Sequence, residues 1–403
     1  VERQRTLRAR RRCLMKITRV KTVVVNAQLR NWVFVKLETD QPGLCGWGEA
    51  SLEWKTRAVA GAVEDFALMA VGEDPTRIEH LYQKLYRHSF FRMGVIGMSA
   101  ISGIEQACWD ILGKSLGVPV YRLLGGAVRE RVRMYTHLGG GEMKAVYETF
   151  DAGPLVERAL AVIEQGYTAG KVVFIPYSEP LMGVPPVKKL AELMGRLREA
   201  VGEKIDIMID FHGRTSPAMA VSYIQALEPF RPFFCEEPVP PENIAALAEV
   251  KRAVKVPIAT GERLVTRHQF REVFERQACH VIQPDLCHCG GLAEAKKIAA
   301  TAETYYMGVA PHNPLGPVAN AAALHFALST PNFLIQEDML TDVPWRWEVV
   351  RQNLRREAGY WLMPEEPGLG IEVDEAAAAR HPYEPEVVHS AVALAPDGAI
   401  LDW

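Results

Sequence analysis

Ile205-Asp-Ile-Met-Ile-Asp210, Pro232-Phe-Phe-Cys-Glu236 and Pro257-Ile-Ala-Thr-Gly-Glu262 are three short β-type runs that each end in a carboxylate, and the carboxylates stand 26 residues apart. About that length is taken up by one strand, one helix and two turns, so the spacing predicts three successive parallel strands with an acid at each C-terminal end. Three carboxylates on rigid strand ends, with no cysteine or histidine among them, make a hard oxygen site suited to Mg²⁺, with Mn²⁺ as the alternative. The expectation is a metal held by Asp210, Glu236 and Glu262.

Outward from these runs the alternation continues. Short apolar segments at 133–137, 170–175, 205–210, 233–236, 258–261, 281–283, 308–310 and 333–336 predict eight strands. Amphipathic stretches at 187–200, 218–227, 244–254 and 292–304 predict helices between them. Alternating β and α units argue for a parallel sheet closed as a barrel. The rival, an open doubly wound sheet, lacks its Gly-x-Gly-x-x-Gly signature, which Gly139-Gly140-Gly141 does not supply.

Ahead of the barrel, residues 15–127 read as an α+β domain. Thr22-Val-Val-Val25 and Trp32-Val-Phe-Val35 with a turn at Asp40-Gln-Pro-Gly43 predict an antiparallel meander, and 58–69, 75–86 and 99–113 predict helices. The organisation expected is a basic leader at 1–14, a front domain at 15–127, a barrel at 128–345 and a tail at 346–403 whose segment 367–373 packs back on the front domain. The leader carries no apolar stretch of the kind a secretory signal needs, and a cytoplasmic location is expected.

The 403 residues carry a formal charge of −3, with 48% hydrophobic and 24% charged residues, so nothing draws the chain to nucleic acid or to a membrane surface. A small molecule is the expected partner. The seven cysteines are scattered and suit reduced thiols. Cys287-His-Cys289 with Cys279 and His280 has soft-metal residue types, but 279–280 and 287–289 fall at opposite ends of one strand and would not converge.

Two histidines flank the carboxylates. His212 lies two residues past Asp210, and the period of a strand would turn it to the same side. His312 ends Val-Ala-Pro-His, 27 residues after Asp285, which ends Val-Ile-Gln-Pro-Asp, so neighbouring strands would set Asp285 against one nitrogen of His312 and raise its basicity. The pair reads as an acid and a base facing each other across a substrate. Glu337, at the eighth strand, is either a hydrogen-bonding partner for a substrate carboxylate or a plain solvated acid. Trp32 and Trp54 belong to the core or close over the pocket.

With these residues in view, the chain resembles the enolase superfamily, mandelate racemase subgroup, from about residue 15 to residue 336. The likeness is carried by Asp210-Phe-His-Gly-Arg, Glu236-Glu-Pro-Val, Gly261-Glu-Arg, Gln283-Pro-Asp-Leu-Cys-His-Cys-Gly-Gly and Ala310-Pro-His-Asn-Pro-Leu-Gly-Pro, with Gly46-Trp-Gly-Glu and Met98-Ser-Ala-Ile-Ser-Gly-Ile-Glu-Gln in front. The resemblance implies a modified (β/α)7β barrel under an α+β N-terminal capping domain completed by the C-terminal tail, Mg²⁺ at Asp210, Glu236 and Glu262, and a homo-oligomer. It further implies a sugar-acid dehydratase, D-galactonate the first substrate to expect. In that reading the His312–Asp285 dyad removes the proton α to the carboxylate, and His212 protonates the departing 3-hydroxyl to leave a 2-keto-3-deoxy acid. A departure from the subgroup supports elimination: its Lys-x-Lys at the second barrel strand is here Lys171-Val-Val173, without the second base that racemisation uses. The alternatives are another aldonate or aldarate, a racemase or epimerase on the same scaffold, and a silent sugar-acid sensor.

Overall fold

The computed structural model describes residues 15–139, 151–339, 342–386 and 393–402. The expected leader, 1–14, lies outside the described residues. Three antiparallel strands, β1 (Ile17–Ala27), β2 (Arg30–Thr39) and β3 (Cys45–Glu49), form the front meander, followed by α1 (Thr56–Ala70), α2 (Ile78–His88) and α3 (Gly94–Leu116). Helix α3 is buried along most of its length and lies flat on β3. Gly-Trp-Gly permits that approach: a Cβ on Gly48 would fall 2.0 Å from the Gly103 carbonyl oxygen, and one on Gly46 2.2 Å from that of Ala107. A short helix, α4 (Val120–Leu123), leads into the second unit.

Eight parallel strands follow: β4 (Arg131–His137), β5 (Ala169–Val172), β6 (Asp206–Asp210), β7 (Cys235–Glu236), β8 (Ile258–Thr260), β9 (Val281–Ile282), β10 (Gly308–Val309) and β11 (Gln336–Glu337). Each pairs with the next from β4 to β10. The last segment closes the ring, because Phe333 bridges Val309 of β10 while Gln336 and Glu337 pair with Met134 and Tyr135 of β4. Among the described residues seven helices lie between the strands: α5 (Ala152–Glu164), α6 (Val184–Val201), α7 (Pro217–Leu227), α8 (Ile244–Ala253), α9 (Thr266–Glu275), α10 (Leu292–Thr304) and α11 (Pro317–Ser329). This is a (β/α)7β barrel. Several helices start where the sequence provides an N-cap: Asp151, Ser216 and Asn243 each accept a backbone N–H of the first turn.

The barrel strands are shorter than their apolar runs suggest, since pairing stops where the chain bends into the loops. The tail adds β12 (Val350–Gln352), β13 (Arg356–Glu357), β14 (Tyr360–Leu362) and β15 (Ile371–Val373), of which β14 runs antiparallel to β4. Among the described residues no helix is long and apolar enough to cross a membrane.

Three buried carboxylates tie the parts together. Glu49, at the end of β3, accepts the backbone N–H groups of Gly316 and Ala319 at the start of α11. Glu105 on α3 accepts those of Leu292 and Ala293 at the start of α10. Asp110 on α3 accepts from Trp47 of β3 and Leu369 of the tail. A negative group at a helix N-terminus satisfies orphan donors and meets the positive end of the helix dipole, so front-domain side chains serve as caps for barrel helices. Burial nevertheless pushes Glu49 up to about 6 and Glu105 up to about 7.

Candidate active site

Inside the barrel, Tyr135, Ala169, Met208, Phe234, Ala259, Val281, Ala310 and Ile335 form one buried cluster, with one residue from each strand or its immediate flank. Side chains alternate along a strand, so the next inward position lies two residues on. Those positions are His137, Lys171, Asp210, Glu236, Gly261, Gln283, His312 and Glu337. An apolar floor is thus covered by an almost wholly polar layer at the C-terminal mouth, where barrels of this kind carry their chemistry.

Asp210, Glu236 and Glu262 each offer a carboxylate oxygen, and the three oxygens lie within 4.8 Å of one another. Strand register supports this: Asp210 pairs directly with Glu236, and Glu262 follows two residues after the end of β8. The set fits a hard divalent cation. Oxygen Oε2 of Glu262 is buried without a hydrogen-bond partner, and burial together with repulsion from Asp210 pushes Glu236 well above the carboxylate range. Burial likewise pushes Glu262 up to about 7, against the attraction of His312. An acidic cluster of this kind is stabilised by positive charge.

Part of that charge is Lys171. Its Nζ lies 3.0 and 3.1 Å from the two oxygens of Glu236, 2.8 Å from Glu337 Oε1 and 3.4 Å from Asp210 Oδ2. Burial alone would lower its pKa, but Glu236 and Glu337 outweigh it and hold the ammonium well above its ordinary value. Glu337 is fully buried: Oε1 meets His137 Nε2 at 2.6 Å as well as Lys171, and Oε2 accepts the Asn313 N–H at 2.7 Å. Lys171 and His137 override the effect of burial and hold Glu337 well below the carboxylate range. Solvation, one of the two readings open for Glu337, is not what surrounds it; both oxygens have protein donors.

His312 Nδ1 lies 2.8 Å from Asp285 Oδ2, and its Nε2 lies 3.4 Å from Glu262 Oε2. Burial lowers its pKa, but Glu262 and the Asp285 hydrogen bond outweigh that and hold it well above the ordinary value. His212 Nε2 lies 3.7 Å from Asp210 Oδ2. It arrives there for a different reason than strand alternation. Strand β6 ends at Asp210, and His212 sits at φ +53 in a turn whose N–H donates to Asp210 Oδ1 at 2.9 Å. Burial pushes His212 down to about 3 against the pull of Asp210. β6 and β10 are four steps apart in a ring of eight, so the two histidines approach the carboxylates from opposite sides.

Glu237 braces the mouth, accepting from the Thr260 hydroxyl, the Gly261 N–H at 3.0 Å and the Arg263 guanidinium at 2.7 Å. Trp32 is fully buried in the main core and does not cover the pocket; Trp54 is half-buried in the loop beyond Ser51. Among the described residues no cysteine joins a metal-type cluster. The residues that sequence reasoning left without a role are His137, Lys171, Gln283 and His288. For the first three the counting rule of two past an apolar barrel position would have found them.

Residues 154–377 match the family described as "Enolase C-terminal domain-like", and residues 8–125 match "Mandelate racemase / muconate lactonizing enzyme, N-terminal domain". The chain is 38% identical over 395 residues to a D-galactonate dehydratase of Variovorax paradoxus (strain S110), covering 96% of this chain and 100% of that one. It is 40% identical over 400 residues to a D-galactonate dehydratase of Xanthomonas euvesicatoria pv. vesicatoria (strain 85-10), with the same coverage. A solved structure of an enolase from Pantoea ananatis with bound D-gluconate and Mg superposes with a TM-score of 0.82 at 31% identity, covering 96% of this chain and 97% of that one.

Proposed function

Since the chain belongs to the mandelate racemase/muconate lactonizing enzyme family of enolase-like proteins, we propose that it is a Mg²⁺-dependent hydro-lyase acting on a sugar acid, D-galactonate first among its substrates. The observation that carries the reading is one arrangement: three hard carboxylates within 4.8 Å of one another, with a carboxylate-held histidine on one side and a second histidine on the other.

Asp210, Glu236 and Glu262 would hold the cation. When bound, Mg²⁺ supplies the positive charge that offsets these carboxylates and stabilises the enediolate formed when a proton leaves the carbon α to a carboxylate. The chain's own residues do the rest. His312, with Nδ1 fixed on Asp285, presents Nε2 as the base that takes the α-proton. Lys171 stands as a fixed cation beside the developing charge, and Glu337 keeps it charged and in place. His212, across the site, delivers a proton to the departing 3-hydroxyl, and an anionic substrate beside it favours its protonated form. The enol so formed tautomerises to a 2-keto-3-deoxy acid.

Val173 lies two residues past Lys171 and carries no group able to move a proton, so a second base on a lysine of that strand is lacking. The deciding experiment incubates the protein and Mg²⁺ with a panel of aldonic and aldaric acids, D-galactonate and D-gluconate first, and detects 2-keto acid as its semicarbazone. Product from one or a few stereoisomers is expected. Exchange of the C2 proton with solvent deuterium in the absence of water loss would instead make the protein a racemase or epimerase.

A further inference from the structure

Asp285 faces two histidines. One is His312, at 2.8 Å. The other is His288, whose Nδ1 lies 3.6 Å from the same oxygen, Oδ2, too far for a hydrogen bond. The remaining oxygen, Oδ1, accepts the Cys287 N–H at 2.7 Å. His288 Nε2 lies 3.0 Å from the backbone carbonyl oxygen of Ser51 in the front domain. A carbonyl can only accept, so this contact requires the proton of His288 to be on Nε2. In the neutral ring Nδ1 then carries a lone pair toward Asp285, and Oδ2 has His312 as its one imidazole donor.

Ser51 is itself fixed. Its hydroxyl accepts the Val33 N–H at 2.9 Å and donates to Glu49 Oε1 at 2.6 Å, and Glu49 in turn accepts from Gly316, four residues past His312. Gln106 of α3 accepts the Glu49 N–H and donates to the Leu286 carbonyl. Hydrogen bonds from Gly316 through Glu49 and Ser51 to His288, the short chain segments 285–288 and 312–316, and the Asp285–His312 hydrogen bond together make a closed circuit that passes through the front domain.

We propose that His288 is a positioning residue for the His312–Asp285 pair, and that the front domain sets its tautomer through the Ser51 carbonyl. Seated, the front domain keeps the His288 proton on Nε2 and leaves Asp285 Oδ2 to His312. Unseated, His288 is free to carry its proton on Nδ1 and compete for that oxygen, which turns the base away from its working orientation. The circuit thus makes the base depend on the docking of a domain that contributes no proton-transfer group of its own to it.

The test uses full-length protein labelled with ¹⁵N-histidine, together with His288→Asn, whose short amide stands near the Nδ1 position beside Asp285, and His288→Gln, whose longer amide reaches toward Ser51. Nuclear magnetic resonance reports which nitrogen of His288 holds the proton and locates the downfield Nδ1–H signal of His312. The expected result is a His288 proton on Nε2, a His312 signal that shifts or broadens away in His288→Asn, whose N–H can compete for Asp285 Oδ2, and its retention in His288→Gln, which keeps an N–H for Ser51. On the dehydratase reading, kcat falls about tenfold in His288→Asn with KM within about twofold, and His288→Gln keeps most of it. A His288 proton on Nδ1, an unmoved His312 signal in His288→Asn, or equal effects of the two substitutions would overturn the proposal. The resonance arm needs no substrate, so absence of dehydratase activity would defeat the functional reading and leave this test standing.

Discussion

Lys171 and Glu236 form a buried, two-pronged ion pair, with the ammonium 3.0 and 3.1 Å from the two carboxylate oxygens. Neither residue is more than 1% exposed, so water does little to screen them. The cation stands against three carboxylates at once, and its removal would leave Asp210, Glu236 and Glu337 facing one another without it. Lys171→Met is expected to lower kcat/KM for the sugar acid by at least about 10²-fold, through loss of the charge next to the forming enediolate. The same change removes a positive neighbour from the metal site, so Mg²⁺ affinity measured by calorimetry is expected to hold or tighten. Weaker metal binding in the variant would count against the placement of Lys171 as a substrate-side charge.

Asp210→Asn tests the metal assignment. An amide keeps the shape and loses the charge of one of three hard donors, so Mg²⁺ affinity is expected to fall by about 10²-fold or more, with activity lost in proportion and partly recovered at high Mg²⁺. Chelation of the wild-type protein is expected to abolish activity reversibly. An Asp210→Asn protein with unaltered affinity would place the cation elsewhere.

The two histidines are separable by isotope. His312→Asn is expected to abolish both C2 proton exchange and dehydration, by about 10³-fold. His212→Asn is expected to block dehydration while C2 exchange in deuterated water continues. Equal loss of the two reactions in His212→Asn would merge the roles assigned to these rings.

His325 supplies a pH dependence of stability that is remote from the cluster. It is fully buried on α11, and its Nδ1 accepts the Tyr121 N–H at 3.1 Å, which only an unprotonated nitrogen can do. Burial pushes its pKa from 6.5 down to about 4. Between those values the unfolded chain binds a proton that the folded one refuses, so stability contributed by the neutral ring is present above pH 6.5 and lost as pH falls toward 4. The loss is on the order of 3 kcal/mol across that window. Denaturation curves at several pH values are expected to show a shallower acid slope for His325→Gln, and parallel slopes would remove His325 from the account.

Legibility in the sequence followed physical periodicity. Asp210, Glu236 and Glu262 were visible because a (β/α) repeat spaces strand ends evenly, and the His312–Asp285 pair because the ends of the next two strands stand a similar 27 residues apart. Lys171 and His137 obey the alternation too, yet a lone lysine in an apolar run carries no sign of what it will face, since its three carboxylate neighbours come from elsewhere in the chain. His288 was harder still. Its partner is a backbone carbonyl 237 residues away, and a backbone atom leaves no mark in residue identity. His212 was placed on the right side by a rule that does not apply to it, because a left-handed turn rather than an extended strand carries it there.

The capping of barrel helices by Glu49 and Glu105 also constrains the order of assembly. On a ribosome the front domain is made first, and Glu49 and Glu105 then have none of their backbone donors. Glu105 meets Leu292 and Ala293 only 187 and 188 residues later, and Glu49 meets Ala319 only 270 residues later. At about 5 to 20 residues per second that is a wait of roughly 10 to 55 s with two carboxylates kept in water. These two caps therefore form late although their acids are synthesised early, and a nascent chain halted before α10 would leave both acids without the backbone donors that hold them in the finished structure.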